Sequence, residues 1–421
     1  MRHLILSVLV ITYILSNPPS YAKISIEDIL SPPFPTELCA APAGGAVAWV
    51  FYERGERNVW VAAPPDYDAR EITSFTGDDG QEITGIRWTP DGQSLIFVRG
   101  GAPNGGGELP NPISNPAGVE RAIWRAYLDG TGPVRLAEGY GPEPSPDGRS
   151  IAFGAKGEAW LLALDGAKPE PTSILKGRGG IGSLTWSPDG GKIAFVSDRG
   201  DHAFVGVLHI ASKEVVWLGP GVDEDGSPAW SPDGAHVAFV RVPSGSFRGI
   251  FRARREDTPW SIHVGDASSG ETKEIFRADE GVGSAYWPTA SRAQLIWTDG
   301  GRIVFPWEKD GWLHLYSISA SGGGPELLTP GAFEVEETVA DGNEIVFTSN
   351  QDDIDRRHIW RVPAKGGKPK AITRGDGIEW SPAPLSDDNG IAILRSDAQM
   401  PARPAIKLGN GKLGDLAPES M

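Results

Sequence analysis

The chain has 421 residues and a net charge of −16, which argues against nucleic acid as a partner, because phosphate binding needs a basic face. Its 55 Gly and 36 Pro interrupt the sequence every few residues and leave little room for long helices. The single cysteine, Cys39, excludes an intrachain disulfide, and we expect it to be a small buried hydrophobic residue.

The N terminus carries the features of an export signal. Arg2 precedes an apolar run from Leu4 to Leu15, and Ser20-Tyr21-Ala22 offers small residues for cleavage. We therefore assign residues 1–22 to a signal peptide and expect a periplasmic or secreted protein. The run is short for a membrane span, so a membrane is expected as a partner only through an uncleaved signal segment. Removing Arg2 with this segment leaves 38 basic against 55 acidic residues, a net charge of −17.

A repeated motif runs through the rest of the chain. Its clearest copies read Trp-Ser-Pro-Asp-Gly or a close variant, followed by an apolar triplet such as Ile193-Ala-Phe195. The repeat anchors are Trp88, Pro90, Asp91, Gly92, Pro146, Asp147, Gly148, Trp186, Pro188, Asp189, Gly190, Trp230, Pro232, Asp233 and Gly234. Weaker copies begin at Ala41, Trp297, Ala340 and Trp380, which makes eight copies with a period of about 42 residues and a few insertions.

Each part of the motif has a mechanical reason. Pro sets φ at the second turn position and Gly accepts a positive φ, so the turn joins two antiparallel strands. The large-small-large triplet after it is typical of a packed strand. A third strand follows each copy, as in Leu313-His-Leu-Tyr316, and a fourth precedes the next copy, as in Lys370-Ala-Ile-Thr373.

Four short strands per repeat predict an all-β fold, a β-propeller of four-stranded blades. Eight blades are favoured and seven is the rival count. A β-sandwich with recurrent turns is the alternative fold, but a sandwich rarely repeats its sequence eight times. We divide the chain into the signal peptide (1–22), a lead segment (23–38), the propeller (39–415) and a tail (416–421).

The repeats resemble TolB-type, WD-like propeller repeats. Two further stretches, Ile26-Glu-Asp-Ile-Leu30 with Pro33-Phe-Pro35, and Phe305 to Tyr316, resemble the propeller of bacterial prolyl-oligopeptidase-family serine peptidases of the dipeptidyl-peptidase IV and acylaminoacyl-peptidase type. The resemblance implies a propeller that caps a C-terminal α/β-hydrolase domain and restricts entry to short peptides. Short peptides and such a hydrolase domain are therefore the expected partners.

The sequence departs from that family at the catalytic motif. The family's nucleophile lies in G-x-S-x-G, and no such pentapeptide occurs here; Gly245-Ser-Phe-Arg-Gly249 is the nearest stretch. The residues from Leu416 onward stand where a hydrolase domain would begin. We therefore expect this chain to be the non-catalytic, substrate-gating half alone, with no catalytic residue of its own. The alternative is a stand-alone TolB-like binding or scaffold propeller of the cell envelope.

Two insertions interrupt the repeats, Gly100 to Glu120 and Arg241 to Pro259. The second carries a charge cluster that includes Arg254, Arg255, Glu256 and Asp257. One hypothesis is a solvated loop. The other is that these four residues steer a peptide terminus, because loops on rigid scaffolds often carry function. We expect the insertion to project from the ring.

A metal-dependent propeller enzyme is the least supported function, and no metal or other cofactor is expected. Three of the seven histidines, His209, His263 and His314, fall on third strands, and none has the spacing of a metal-binding pair. Asp223-Glu-Asp-Gly226 lacks the other ligands of a calcium loop, so we expect a solvated acidic turn.

Overall fold

The computed structural model describes residues 25–165, 170–244, 255–386, 390–409 and 411–417. The predicted signal peptide lies outside these ranges. Within them, one short helix, α1 (Ile26–Leu30), precedes the strands. No helix of the described ranges is long and apolar enough to cross a membrane.

The described strands form eight consecutive units of four antiparallel strands, in which neighbours in sequence are also neighbours in the sheet. Unit 1 consists of β1 (Phe34–Ala40), β2 (Val47–Glu53), β3 (Glu56–Ala62) and β4 (Arg70–Glu71), and unit 2 of β5 (Ile83–Trp88), β6 (Ser94–Arg99), β7 (Ala122–Tyr127) and β8 (Val134–Glu138). Unit 3 consists of β9 (Tyr140–Pro144), β10 (Ser150–Ala155), β11 (Glu158–Ala163) and β12 (Thr172–Leu175), and unit 4 of β13 (Gly180–Trp186), β14 (Lys192–Asp198), β15 (Ala203–His209) and β16 (Val215–Trp217).

Units 5 to 8 follow the same plan. Unit 5 consists of β17 (Glu224–Trp230), β18 (His236–Val242), β19 (Ser261–Asp266) and β20 (Thr272–Arg277), and unit 6 of β21 (Ile296–Trp297), β22 (Arg302–Trp307), β23 (His314–Ser319) and β24 (Glu326–Leu327). Unit 7 consists of β25 (Val335–Asp341), β26 (Glu344–Ser349), β27 (His358–Pro363) and β28 (Lys370–Ala371), and unit 8 of β29 (Ile378–Pro384), β30 (Ile391–Asp397), β31 (Met400–Lys407) and β32 (Leu413–Asp415). A single parallel bridge between Ala203 and Glu224 joins units 4 and 5. This arrangement is compatible with the favoured count of eight blades.

The units pack side by side through their first strands. The first strand of unit 1 contacts that of unit 2, and β13 contacts both β9 and β17. Unit 8 returns to unit 1, because Trp49 of β2 shares one apolar core with Ala392 of β30 and Ile406 of β31. The two ends of the series therefore meet by side-chain packing.

The second strand of each unit supplies the centre of its core. Its apolar triplet places one large residue at the same position in every unit, and in seven units this residue is an aromatic with almost no exposed surface. These residues are Trp49, Phe97, Phe153, Phe195, Phe239, Phe305 and Phe347, with Ile393 in unit 8. Burial of each large ring contributes several kcal/mol, of order 3–5 by comparison with truncation to Ala.

The Ser-Pro-Asp-Gly turn closes through side chains as well as backbone. In unit 4 the Ser187 hydroxyl donates to Asp189 Oδ1 at 2.5 Å and accepts from the Lys192 amide at 2.9 Å. The Gly191 amide donates to the same Asp189 oxygen at 3.0 Å, and Gly190 has φ of +70°. The turn chemistry predicted from the sequence is therefore present.

The tryptophan that precedes the turn also links neighbouring units. Its indole Nε1 donates to a backbone carbonyl in the first strand of the preceding unit, in the pairs Trp88–Cys39 (3.4 Å), Trp186–Glu143 (2.9 Å) and Trp230–Thr185 (3.0 Å). These bonds hold the ends of adjacent first strands side by side.

Two assignments made from the sequence differ from the structure. Trp380 is not the anchor of unit 8: it pairs with Leu394 inside β29, and Pro384 takes the anchor position because it pairs with Ile391 as Trp186 pairs with Ile193. The Trp-Ser-Pro at 380–382 is part of a strand and not of a turn. In addition, β1 begins at Phe34, within the stretch assigned to the lead segment.

The antiparallel order defines two ends of the assembly. We call the end with the first-to-second and third-to-fourth strand turns the turn end, and the other the connection end. Both sequence insertions follow second strands, so both lie at the connection end. β1 begins and β32 ends there as well.

Candidate functional site

The predicted gating residues lie at the connection end, between units 5 and 6. Arg254 lies outside the described residues. The Arg255 guanidinium pairs with the Glu308 carboxylate at 2.8 Å, and Glu256 is exposed. The Asp257 amide donates to Ser284 Oγ at 2.7 Å. The structure therefore attaches the end of the second insertion to the ring.

A tight backbone arrangement holds this attachment. The Gly283 amide donates to the Arg255 carbonyl at 2.8 Å. The Gly283 carbonyl accepts from the indoles of Trp260 and Trp307, at 3.1 and 2.9 Å. Residues 255–259, the end of the insertion, are therefore held against the ring, whereas residues 245–254, on which the prediction of a projecting insertion mainly rests, lie outside the described residues.

Glu308 is the buried member of this group, with 8% of its surface exposed. Burial raises the pKa of the Glu308 carboxyl, and the Arg255 guanidinium opposes that rise. Glu334 and Asp310 add to the rise by repulsion. The surface beside Arg255 is therefore acidic and could attract a cationic group such as a peptide amine.

The connection end also carries most of the exposed apolar surface. Nine of the eleven large apolar side chains that are exposed among the described residues belong to segments at this end. They are Ile26, Ile29, Leu30, Phe34, Ile113, Val222, Val282, Trp287 and Ile354. Such a concentration on one surface is typical of an interaction face.

Two of the polar residues considered from the sequence, His263 and Asp225, make contacts within unit 5. His263 stacks on Phe239 with ring centroids 5.5 Å apart and shares a hydrogen bond of 2.9 Å with Ser261 Oγ. Among the described residues, no three His, Cys, Asp or Glu side chains form a group that could hold a metal ion. Asp225 is buried and pairs with Arg241 at 2.6 Å, so the expectation of a fully solvated acidic turn is wrong for this residue.

Cys39 lies near the turn end of β1 and is half-buried as a residue. Burial raises the pKa of its thiol to about 12, so the thiol is protonated at neutral pH. A protonated buried thiol is a poor nucleophile.

The first strands carry a second set of polar residues, which face neighbouring first strands. In unit 2, the amides of Gly85 and Ile86 donate to one oxygen of Glu37 from unit 1, at 2.8 and 3.3 Å. In unit 8, the Ser381 amide and hydroxyl donate to the carboxylate of Glu337 from unit 7, at 2.5 and 3.3 Å. Each pair places a carboxylate of one unit on a β-bulge of the next.

A charged cluster connects first strands with a segment between units 5 and 6. Arg292, in the irregular stretch before β21, contacts the Glu143 carboxylate of β9. Arg87 Nε of β5 lies 3.6 Å from the same carboxylate. Desolvation, with a contribution from Arg87, lowers the pKa of Arg292 to about 10, so the Arg292 guanidinium stays charged at neutral pH.

Comparison with known proteins shows which family and which solved structures this chain resembles. Residues 250–400 match the family described as the dipeptidyl peptidase IV (DPP IV) N-terminal region. Dipeptidyl peptidase 4 of Porphyromonas gingivalis superposes with a TM-score of 0.66 at 14% identity, over 96% of this chain and 62% of that protein. The predicted resemblance to this peptidase family is confirmed. This chain thus spans less than two thirds of the P. gingivalis protein.

A second structure supports the fold alone. The β-propeller domain of the trilobed protease of Pyrococcus furiosus, described as having an open Velcro topology, has a TM-score of 0.50 at 18% identity, over 80% of this chain and 96% of that domain. With the four-stranded units, these likenesses confirm the predicted all-β propeller. The match to the DPP IV N-terminal region covers the described gating residues 255–257 and units 6 and 7 entirely.

Sequence reasoning missed the first-strand residues. Glu37, Glu143, Arg292 and Glu337 lie outside the repeated motif, which occupies the turn end, and Ser381 was assigned to a copy of the motif that begins at Trp380. One signal was present, because Ser-Pro-Ala occurs both at 227–229 and at 381–383, three residues before the end of a first strand in each case.

Proposed function

We propose that this chain is the non-catalytic propeller domain of a dipeptidyl-peptidase-like serine peptidase, in which it guides short peptides toward an α/β-hydrolase domain. The observation that carries the proposal is the match of residues 250–400 to the DPP IV N-terminal region, because this stretch includes the predicted gating residues. The lack of a G-x-S-x-G motif in the sequence supports a non-catalytic role. The apolar run after Arg2 supports export to the periplasm or beyond.

The connection end is the proposed docking surface for the hydrolase domain. Exposed Ile26, Ile29 and Ile354 lie there, and a domain linked to β1 or β32 would join the ring at this end. Burying such side chains stabilises association by about 25 cal/mol per Å² of apolar surface removed from water. A peptide held between the two domains would therefore meet the second insertion.

Glu256 and Asp257 are the proposed contacts for a peptide amino terminus. Arg255 has a second role, because it neutralises the buried Glu308, so its replacement would also disturb the fold. The test is therefore made on the two acids. Titration calorimetry of the purified chain with dipeptide amides should show binding that E256Q/D257N weakens about tenfold, equivalent to about 1.4 kcal/mol.

The matched control removes two exposed acids at the turn end, E214Q/E271Q, which changes the net charge equally. We expect this variant to bind like the wild-type chain, and N-acetylated dipeptide amides to bind more weakly because the ammonium group is lost. Absence of dipeptide binding, or equal weakening in both variants, would contradict the proposed role of the insertion.

A further inference from the structure

Two first strands contain the same local sequence in the same backbone conformation. Ser227-Pro228-Ala229 forms a β-bulge in β17, and Ser381-Pro382-Ala383 forms one in β29. The two serines have φ of +55° and +50°, in the left-handed region. In both bulges the following proline has no amide hydrogen, so the serine itself is the available donor.

The bulge in unit 8 shows what this conformation binds. Ser381 holds the Glu337 carboxylate through its amide and its hydroxyl, at 2.5 and 3.3 Å. Glu37 is bound by the bulge of unit 2 in a related way, through the amides of Gly85 and Ile86. Left-handed residues turn backbone N–H groups toward one side, and such groups favour anions. In units 2 and 8 the first-strand bulge is therefore a carboxylate-binding element.

At Ser227 no carboxylate of the described residues is bound in this way. The position that Glu37 and Glu337 occupy in units 1 and 7 is taken by Ser183 in unit 4, three residues before the anchor Trp186. Ser183 and Ser227 instead line a cavity of about 280 Å³. Among the described residues, this cavity has no acidic side chain in its lining.

A cation also lines the cavity. Arg292 lines it together with Thr185 and Gln294. Although Arg292 contacts Glu143, a guanidinium has five N–H donors and can bind a second carboxylate. Arg87 lies beside the same Glu143, so two guanidiniums share one carboxylate of this chain. Since Arg87 also interacts with Glu37, Arg292 is the cation that would attract an added anion.

We propose that the cavity between β13 and β17 binds the carboxylate of a short peptide, which accepts hydrogen bonds from the amide and hydroxyl of Ser227 and pairs with Arg292. The carboxylate site rests on the internal repeat, and the choice of a short peptide as its ligand rests on the proposed function. A peptide C terminus and an acidic side chain offer the same chemistry, so the experiment uses probes for both.

The test uses a variant that places a carboxylate of the chain itself in the cavity. Ser183→Glu restores the residue type of Glu37, which adopts φ of +57° at the equivalent position of unit 1. Calorimetry with acetyl-Ala-Ala as free acid, acetyl-Ala-Ala amide and acetyl-Asp-Ala amide separates the two carboxylate sources from each other and from binding through an amine. We expect one or both acids to bind wild type at least tenfold more tightly than the uncharged amide.

Ser183→Glu should abolish acid binding and raise Tm, whereas Ser183→Ala, which leaves the cavity open, should retain binding. If Ser183→Glu fails to fold, Arg292→Gln should weaken acid binding by at least about tenfold while leaving the uncharged amide unaffected. Equal binding of acids and amide to wild type, no binding of any probe, or full acid binding by a folded Ser183→Glu or Arg292→Gln variant would overturn the proposal.

Discussion

The Arg292 guanidinium contacts the Glu143 carboxylate although 149 residues separate the two in sequence. The contact joins the first strand of unit 3 to the segment that precedes unit 6. Arg87 Nε lies 3.6 Å from the same carboxylate, so Glu143 separates two cations that would otherwise repel each other. Its side chain is only 15% exposed, which limits screening by water.

We predict that Glu143→Gln lowers the free energy of unfolding by roughly 1 kcal/mol, because the half-buried Arg87 and the largely exposed Arg292 lose their shared carboxylate. Urea unfolding at low salt and at about 0.5 M salt measures the effect, which should shrink at high salt as the repulsion is screened. The double variant Glu143→Gln with Arg292→Gln should recover part of the loss. Equal stability of wild type and Glu143→Gln at low salt would contradict this account of the cluster.

A second prediction concerns acid sensitivity at His263. Burial lowers the pKa of His263 to about 4, with further lowering from Arg241 and Arg277 that Glu274 and Asp223 oppose. In the unfolded chain His263 therefore takes up a proton near pH 6.5, whereas in the folded chain it stays neutral until the pH falls to about 4. This neutral imidazole contributes stability above pH 6.5, and the contribution is lost as pH falls toward 4.

His263→Gln should therefore lose less stability than wild type between pH 6.5 and 4, by up to roughly 3 kcal/mol. Denaturant unfolding at intervals of half a pH unit gives the two curves. The control is His236→Gln, which removes a half-buried histidine from β18 of the same unit. Parallel pH dependences of wild type and His263→Gln would show that His263 is not the group responsible.

Much of the fold could be predicted from local sequence, and most of the candidate site could not. The turn chemistry around Ser187 and the core position of Phe195 depend on short-range rules that each repeat restates. Trp380 was misplaced because a Trp-Ser-Pro triplet in a strand has the letters of the turn motif. The pairing of Arg292 with Glu143, or of Ser381 with Glu337, depends on which units become neighbours, and local periodicity carries no information about such contacts.

The blade count is a third prediction. An experimental structure should show eight four-stranded sheets, closed by packing of Trp49 against Ala392 and Ile406, with β1 remaining in the sheet of β2. The physical reason is that each unit already completes its sheet with four consecutive strands. Seven radial sheets, or a strand exchanged between units 1 and 8, would contradict it.

We further predict that the purified chain hydrolyses no peptide, ester or aminoacyl substrate. Nucleophile, base and oxyanion-binding amides must be assembled together, and the sequence has no G-x-S-x-G elbow. Turnover assays are compared with a mock-purified control, and a serine-reactive fluorophosphonate reports any activated serine. Activity above that control together with fluorophosphonate labelling would be incompatible with a non-catalytic domain.

The most direct test of the gating proposal joins the hydrolase domain of a related peptidase to the connection end of this chain and measures kcat/KM on dipeptide amides. We expect E256Q/D257N to lose roughly tenfold in kcat/KM, about 1.4 kcal/mol at the transition state, with an unchanged Tm, while E214Q/E271Q keeps the full value. An active fusion whose kcat/KM is the same with and without Glu256 and Asp257 would contradict the account.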